Sequence, residues 1–451
     1  MKTEIFFTHK LVNIHYLQVL LLLFVGLTFA KPAQAQVWTL QQCIDTAHMH
    51  NKNLQISRNN MEMSSQKQLE ARANLIPKVS LNGDYKYFFE QPYQIMPQSA
   101  FGGPEGEFKE IQMGVPHNIN ANIQVAMPIY NPQVYGAIQT TKTAMELSKL
   151  QHKKTEEQVY FEVSNLYYNA QIIFHQKAFI DSNMINTSRL LKTVQLLHEQ
   201  LMAKETDVQK VALQLEQLIT QQQLAVNNLN QVMNALKFSM GIPFDQHMDI
   251  VSDIQYHINP HYPSSLFVDL QLAGTQNKLL TTELRTLKNS RLPSVSLYGS
   301  YGQNGYGYDK KPNEFLKFYP TSFAGIQVSY PLFNGTVTKR KINQKKIEIQ
   351  NSELQIALVT DQNSMLVMNA KSRRIISQKN IENTAGQIEL ATNVYQQLVL
   401  QQKEGMATLT DVLMADNDLR QVQQMYLSMV VDYLKADLEL KKLTGNISIT
   451  K

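Results

Sequence analysis

Eleven histidines, nineteen methionines and one cysteine are the side chains through which this chain could hold a metal or attack a substrate. Their placement argues against both. His48 with His50, and His257 with His261, are close pairs, and they read as surface residues of loops and helix ends rather than as ligands. The methionines spread along helical stretches without a paired ligand motif, which suits core packing better than copper or silver handling. Cys43 alone excludes an intrachain disulfide and a Cys-built metal site. Gln42 directly before it excludes the lipoprotein pattern, so Cys43 is expected to be an ordinary buried helix residue. No Gly-rich phosphate loop, zincin motif or nucleophile elbow is present, so no enzyme activity, cofactor or metal is expected. Asn186-Thr187-Ser188 matches a glycosylation sequon but falls inside a long helical pattern. Lys plus Arg number 42 and Asp plus Glu 37, a net of +5 too small and scattered for nucleic acid. Two acids remain of interest, Asp207 and Asp411, each in a Thr-Asp-Val triplet where a helix begins. An acid in a first turn stabilises the free N–H groups there.

The elements that position these acids begin after residues 1–35, which read as a secretory signal. Lys2 and Lys10 lead, Leu17–Ala30 is apolar, and Ala33-Gln34-Ala35 offers small residues at a cleavage site. Beyond it no run approaches the length of a spanning helix. An exported chain of this kind is either soluble in the periplasm or in the outer membrane as strands.

A duplication sets the organisation. Ile76-Pro77 and Val79-Ser80-Leu81 recur as Leu292-Pro293 and Val295-Ser296-Leu297. Gln124-Val125 and Pro128 recur as Gln327-Val328 and Pro331, Thr206-Asp207-Val208 as Thr410-Asp411-Val412, and Gly241 as Gly445. The order is kept, so residues 36–243 and 262–451 are expected to be two structural repeats joined by an equatorial segment, 242–261.

Each repeat carries two strand-like runs of alternating character, at about 78–89 and 118–130 in the first and 294–303 and 322–333 in the second. Their length suits a tilted strand crossing a bilayer. Alternation puts Val79, Leu81, Tyr85, Ile123, Val125, Val295, Leu297, Ile326 and Val328 toward lipid, with Asn82, Lys86, Asn122 and Gln327 toward a lumen. Glu90–Asn118 and Gln303–Thr321 read as long polar loops, with Tyr87, Phe88, Phe89, Tyr93, Tyr306, Tyr308, Phe318 and Tyr319 near their ends as an aromatic belt. Four strands cannot close a cylinder, and open edges cannot face hydrocarbon. The barrel must therefore be shared with copies of the same chain.

The rest reads as helices of unusual length, a hairpin over about 133–240 and another over about 335–444. From Gln133 to Leu201 only Gly136 interrupts, and Val159, Val163, Leu166, Ala170, Ile173, Ile180 and Met184 keep coiled-coil spacing. In the second repeat Ile381, Ile388, Ala391, Tyr395 and Leu398 form the stripe. Shorter helices, about 39–75 and 262–291, make up the matching lengths.

With WTLQQCIDTAHMHNKNLQ at the start, both LP/IP-x-V-S-L strand entries, QVAMPIYNPQ, QVSYPLFNGT and GMATLTDVLMADNDL, the chain resembles the outer membrane efflux proteins, the TolC-like channels. The resemblance implies an α+β membrane protein. It would be a homotrimer with one 12-stranded barrel, four strands per subunit, continued by a periplasmic coiled-coil tunnel whose hairpin tips meet a periplasmic adaptor protein. An inner-membrane pump of unknown class would drive export. The second tip would carry a turn glycine, Gly405, and an acidic ring, Asp411, at the entrance. Asp207 is its counterpart, Leu201 stands where the first turn would have glycine, and Met202 and Met406 sit on the two tips. A further acidic position of some relatives corresponds to Met414, which implies a less charged filter. A type I protein secretion channel and a periplasmic adaptor or scaffold without a barrel are the alternatives.

Overall fold

The computed structural model describes residues 37–254, 262–263, 266–307 and 317–447. The expected export signal, His257, His261 and Tyr308 lie outside these residues. In chain order the elements are β1 (Val37–Trp38), α1 (Leu40–His50), α2 (Lys52–Ala73), β2 (Lys78–Tyr87), β3 (Tyr93–Pro97), β4 (Phe108–Gln112) and β5 (His117–Tyr130). There follow α3 (Pro132–Glu199), α4 (Glu205–Met240), β6 (Asp249–Ile250), α5 (Val268–Asn289), β7 (Ser294–Gly307), β8 (Lys317–Ser329), α6 (Val337–Lys403) and α7 (Leu409–Leu443).

Helix α3 starts where Asn131 caps it. The Asn131 side-chain oxygen accepts from the Gln133 and Val134 amides at 3.0 and 3.4 Å, and Pro132 occupies the first turn, where its missing N–H costs nothing. The helix then runs 68 residues, about 100 Å at 1.5 Å per residue, and α6 runs 67. Each turns back into a shorter helix, α4 with 36 residues and α7 with 35. Helices α2 and α5 pack on α3 beyond these returns, and α5 also packs on α6.

The buried stripe of α3 departs from the apolar spacing in its distal half. It passes through Ile172, not Ile173, and then includes Asn183 and Thr187 before Leu190 and Val194. A period read from apolar residues passes over these two polar positions. Asn183 is tolerated there because its amide donates to Gln423 on α7 at 2.9 Å.

Two apolar clusters fix the helices. Cys43, Ile44, Leu54, Val163, Leu236 and Met240 join α1, α2, α3 and α4 at the midline. Near the tips, Leu190, Val194, Val211, Tyr395, Val412 and Leu419 join both long hairpins. Val211 and Val412 are fully buried, each contributing about 1.5–3 kcal/mol.

The midline segment is held by side chains of α3. β1 pairs in parallel with β6. Gln171 donates to the carbonyls of Val251 and Asp253 at 2.8 and 2.9 Å, and the Tyr167 hydroxyl donates to that of Trp38 at 3.0 Å. On the other flank, Asn446 donates to the Pro263 carbonyl at 2.7 Å.

The main sheet has the order β2-β5-β7-β8, antiparallel throughout. Its strands differ in extent from the spacing-based ranges: β7 runs on to Gly307, β8 begins at Lys317 and ends at Ser329. Tyr306, Phe318 and Tyr319 are therefore strand residues, not loop ends, because glycines at 302, 305 and 307 do not stop a ladder whose neighbour continues. The first repeat's insertion is not a plain loop either. It holds a second hairpin, β3 with β4.

Candidate functional site: the sheet faces and the helical tips

Register across the sheet sorts its side chains. Val79 lies opposite Val125, Leu81 opposite Ile123, Ile123 opposite Tyr301, Val295 opposite Val328 and Leu297 opposite Ile326. In a pleated sheet, directly opposed residues share a face. One face is thus apolar, with Val79, Leu81, Ile326 and Val328 all exposed. Asn82, Lys86, Asn122 and Gln327 occupy the other face, together with Gln124, Asn120, Ser300 and Asn304. Asn82 donates to Asn122 at 3.4 Å and Asn122 to Asn120 at 2.7 Å, so amides satisfy amides across this face. Charge on it comes from Lys78, from Asp84 and Lys86, paired at 3.2 Å, and from Lys317. β2 and β8 are the sheet's edges.

The two tips have one backbone design and different residues. At the second, Gly405 has φ 78°, its amide donates to Gln402, and the Met406 amide donates to Gln401 at 2.8 Å. At the first, Leu201 has φ 62°, its amide donates to His198, and the Met202 amide donates to Leu197 at 2.8 Å. This is the left-handed helix ending that glycine adopts without strain and leucine does not. Leu201, Met202 and Met406 are all well exposed.

Both return helices begin on the paired acids. The Asp411 amide donates to the Thr408 hydroxyl at 3.2 Å, while Asp411 Oδ2 accepts from the Thr408 amide at 2.9 Å and from its hydroxyl at 2.6 Å. These hydrogen bonds, the hydroxyl's first, hold the Asp411 carboxyl below the usual carboxylate range. Lys204 replaces the threonine in the first tip and offers no hydroxyl. Asp207 there accepts from the Lys204 amide at 3.4 Å and lies 3.9 Å from the Lys210 ammonium.

Asp416, one and a half turns beyond Asp411, carries weight that its sequence position does not announce. It is 2% exposed, accepts from Gln214 of α4, and pairs with Arg420 at 2.6 Å. Burial raises its carboxyl above the usual range, against the opposing pull of Arg420 and Gln214. Asp and Arg four apart on a helix would have marked the pair, but not the glutamine that reaches it from the other hairpin. Met414 is exposed on the same turn. Among the described residues, no group of three or more His, Cys, Asp or Glu could hold a metal ion.

Residues 269–446, from the start of α5 to just past α7, match the family model described as outer membrane efflux protein. Over this stretch the chain is similar to the outer membrane efflux proteins. Over 95% of its length it is 19% identical to outer membrane protein TolC of Salmonella enteritidis, spanning 86% of that protein. Its fold is similar to that of the outer membrane protein VceC of Vibrio cholerae, with a TM-score of 0.73 at 14% identity over 90% of this chain and 96% of that one. It is similar also to the open state of the MtrE outer membrane channel of Neisseria gonorrhoeae, with a TM-score of 0.73 at 16% identity, covering 90% and 88%. The chain therefore has the TolC-like α+β fold, long helical hairpins continuous with a four-stranded sheet.

Proposed function

We propose that this protein is the passive exit duct of a bacterial efflux system, an outer-membrane channel that performs no chemistry of its own. One observation carries the reading. A four-stranded sheet exposes an apolar face, carries amides, hydroxyls, lysines and the rings of Tyr298 and Phe323 on the opposite face, and ends in two unpaired edges. Unpaired edges cannot stand in hydrocarbon, so copies of the chain supply the missing neighbours. Three copies give a 12-stranded barrel whose apolar face meets lipid, with Asn82, Lys86, Asn122 and Gln327 on the lumen. The helical hairpins extend the duct about 100 Å into the periplasm. At their ends Gly405, Met406, Leu201 and Met202 form the surface for a periplasmic adaptor, and Asp411, with Asp207, rings the entrance. An inner-membrane pump does the work. Mass measurement of the detergent-solubilised complex, heat-modifiable migration and conductance in a planar bilayer test the reading. A homotrimer that conducts is the expected result. A monodisperse monomer without conductance would overturn it in favour of a scaffold.

A further inference from the structure

The insertion between β2 and β5 does not stand straight above the sheet. Its ladder continues from the Phe88 amide to the Pro116 carbonyl at 2.8 Å and resumes with the Met113 amide on the Pro92 carbonyl at 3.2 Å. Between these bonds the chain bends. Pro92 and Pro116 have no N–H to continue a ladder, and Gly114 takes φ 131°, a conformation strained for any residue with a side chain. The direction of the bend follows from what lines the open cleft beneath it, of about 370 Å³. Its floor is Asp84, Lys86, Asn118, Asn120, Asn304 and Tyr306, all on the amide face of β2, β5 and β7. Its roof is Phe88, Pro92, Met113 and Val115 of the insertion. The Asn118 side chain ties floor to roof by donating to the Val115 carbonyl at 3.1 Å. Asn118, Asn120 and Asn304 are half-buried at the back of the cleft and Asp84, Lys86 and Tyr306 are exposed at its open side, while Gln124, on the same face nearer the helices, is exposed.

We infer that residues 88–116 form an arch over the amide face at the end of the sheet away from the helices, and that in the duct this arch is a second constriction. It sets the size of solute that leaves. The inference rests on the channel reading, because only there does the amide face line a lumen. It assigns size selection to the apolar side chains Phe88, Met113 and Val115, while Glu90, Glu105, Glu107 and Glu110 against Lys109 make the arch itself acidic. The solutes it favours are compact ones slim enough to pass between three arches.

Cysteine labelling and polymer exclusion test this. The native Cys43 is fully buried and silent. In the detergent-solubilised full chain, Asn120→Cys should react with a bulky maleimide several-fold more slowly than Gln124→Cys. Replacing residues 93–112 by a Gly-Asn turn should bring the two rates together. In planar bilayers the same shortening should raise the largest polyethylene glycol that enters the pore, and Met113→Trp, which leaves the backbone intact, should lower it. Equal labelling of Asn120→Cys and Gln124→Cys in the full chain would overturn the arch. An exclusion limit that neither the shortening nor Met113→Trp moves would overturn the constriction. A chain that labels as expected but never conducts would overturn the duct itself while the arch stands.

Discussion

Replacing Ile123 by Arg asks which face of the sheet meets lipid. On β5 the apolar side runs Ile119, Ala121, Ile123, Val125, Met127, with Ile123 at its centre, opposite Leu81 on one side and Tyr301 on the other. A strand rising about 3.4 Å per residue and tilted about 40° gains roughly 2.5 Å of depth per residue. The run therefore covers about 20 Å, close to the roughly 25 Å apolar band of such barrels, and places Ile123 at the midplane. Arg there should cost about 2–4 kcal/mol, which is about a 30- to 900-fold loss in the folded-to-unfolded ratio. Asn122→Arg, one residue away on the opposite face, loses the hydrogen bonds to Asn82 and Asn120, at a cost of about 1 kcal/mol, and the new charge stands in water. Refolding into lipid vesicles across a urea titration, read by heat-modifiable migration, measures both. Equal losses for the two variants, or a larger loss for Asn122→Arg, would refute the assignment of the faces.

The tips give reciprocal expectations: Leu201→Gly should raise the thermal midpoint, because it releases about 1–2 kcal/mol of left-handed strain while removing a side chain that is 92% exposed. Gly405→Val, imposing that strain where φ is 78°, should lower the midpoint and weaken adaptor docking; calorimetry and a pull-down with the adaptor read the two effects. For Asp411→Asn, single-channel recordings should show weaker cation selectivity and weaker block by multivalent cations, with trimer assembly intact; a trimer indistinguishable from the parent would leave Asp411 only its helix-start role. Asp416 has a folded-state pKa above its unfolded one. Its stabilising contribution is thus full below the unfolded value and lost as pH rises through the folded value. Thermal melts should show the parent losing stability relative to Asp416→Asn across that interval as pH rises, and the opposite slope would mean that Arg420, not burial, dominates.

Most of the scaffold was legible because it repeats. Strand entries and Thr-Asp-Val triplets marked both copies, and the alternation of β2 and β5 has the same parity in the pairing of Val79 with Val125 and Asn82 with Asn122. The end of β7 was not legible, since three glycines read as loop when only one sequence is in view. The bend after Phe88 hid for a related reason. Proline and glycine signal a break in a ladder but not its direction, which depends on the strands beside it. At the tips, sequence pointed to Asp411 and Asp207 and missed Asp416, whose importance comes from Gln214, some two hundred residues earlier. Asn183 and Thr187 escaped the heptad pattern because they are polar, and they are buried only because a partner on another helix satisfies them or, for Thr187, because the packing stripe passes through its position.

The matched lengths of the two hairpins, 68 with 36 residues and 67 with 35, limit how such a chain can change by insertion and deletion. One residue added to α3 would move its tip by about 1.5 Å and turn it by about 100°. The Leu190–Val194 stripe would then swing away from Val412 and Leu419, and the second tip would be left behind. Length can change in these helices only by whole heptads, and in the outgoing and returning helices of both repeats together. The arch faces no such periodic partner, so it can gain or lose residues singly. Variation in the length of this protein's relatives should therefore be quantised along the helices and continuous at the far end of the sheet.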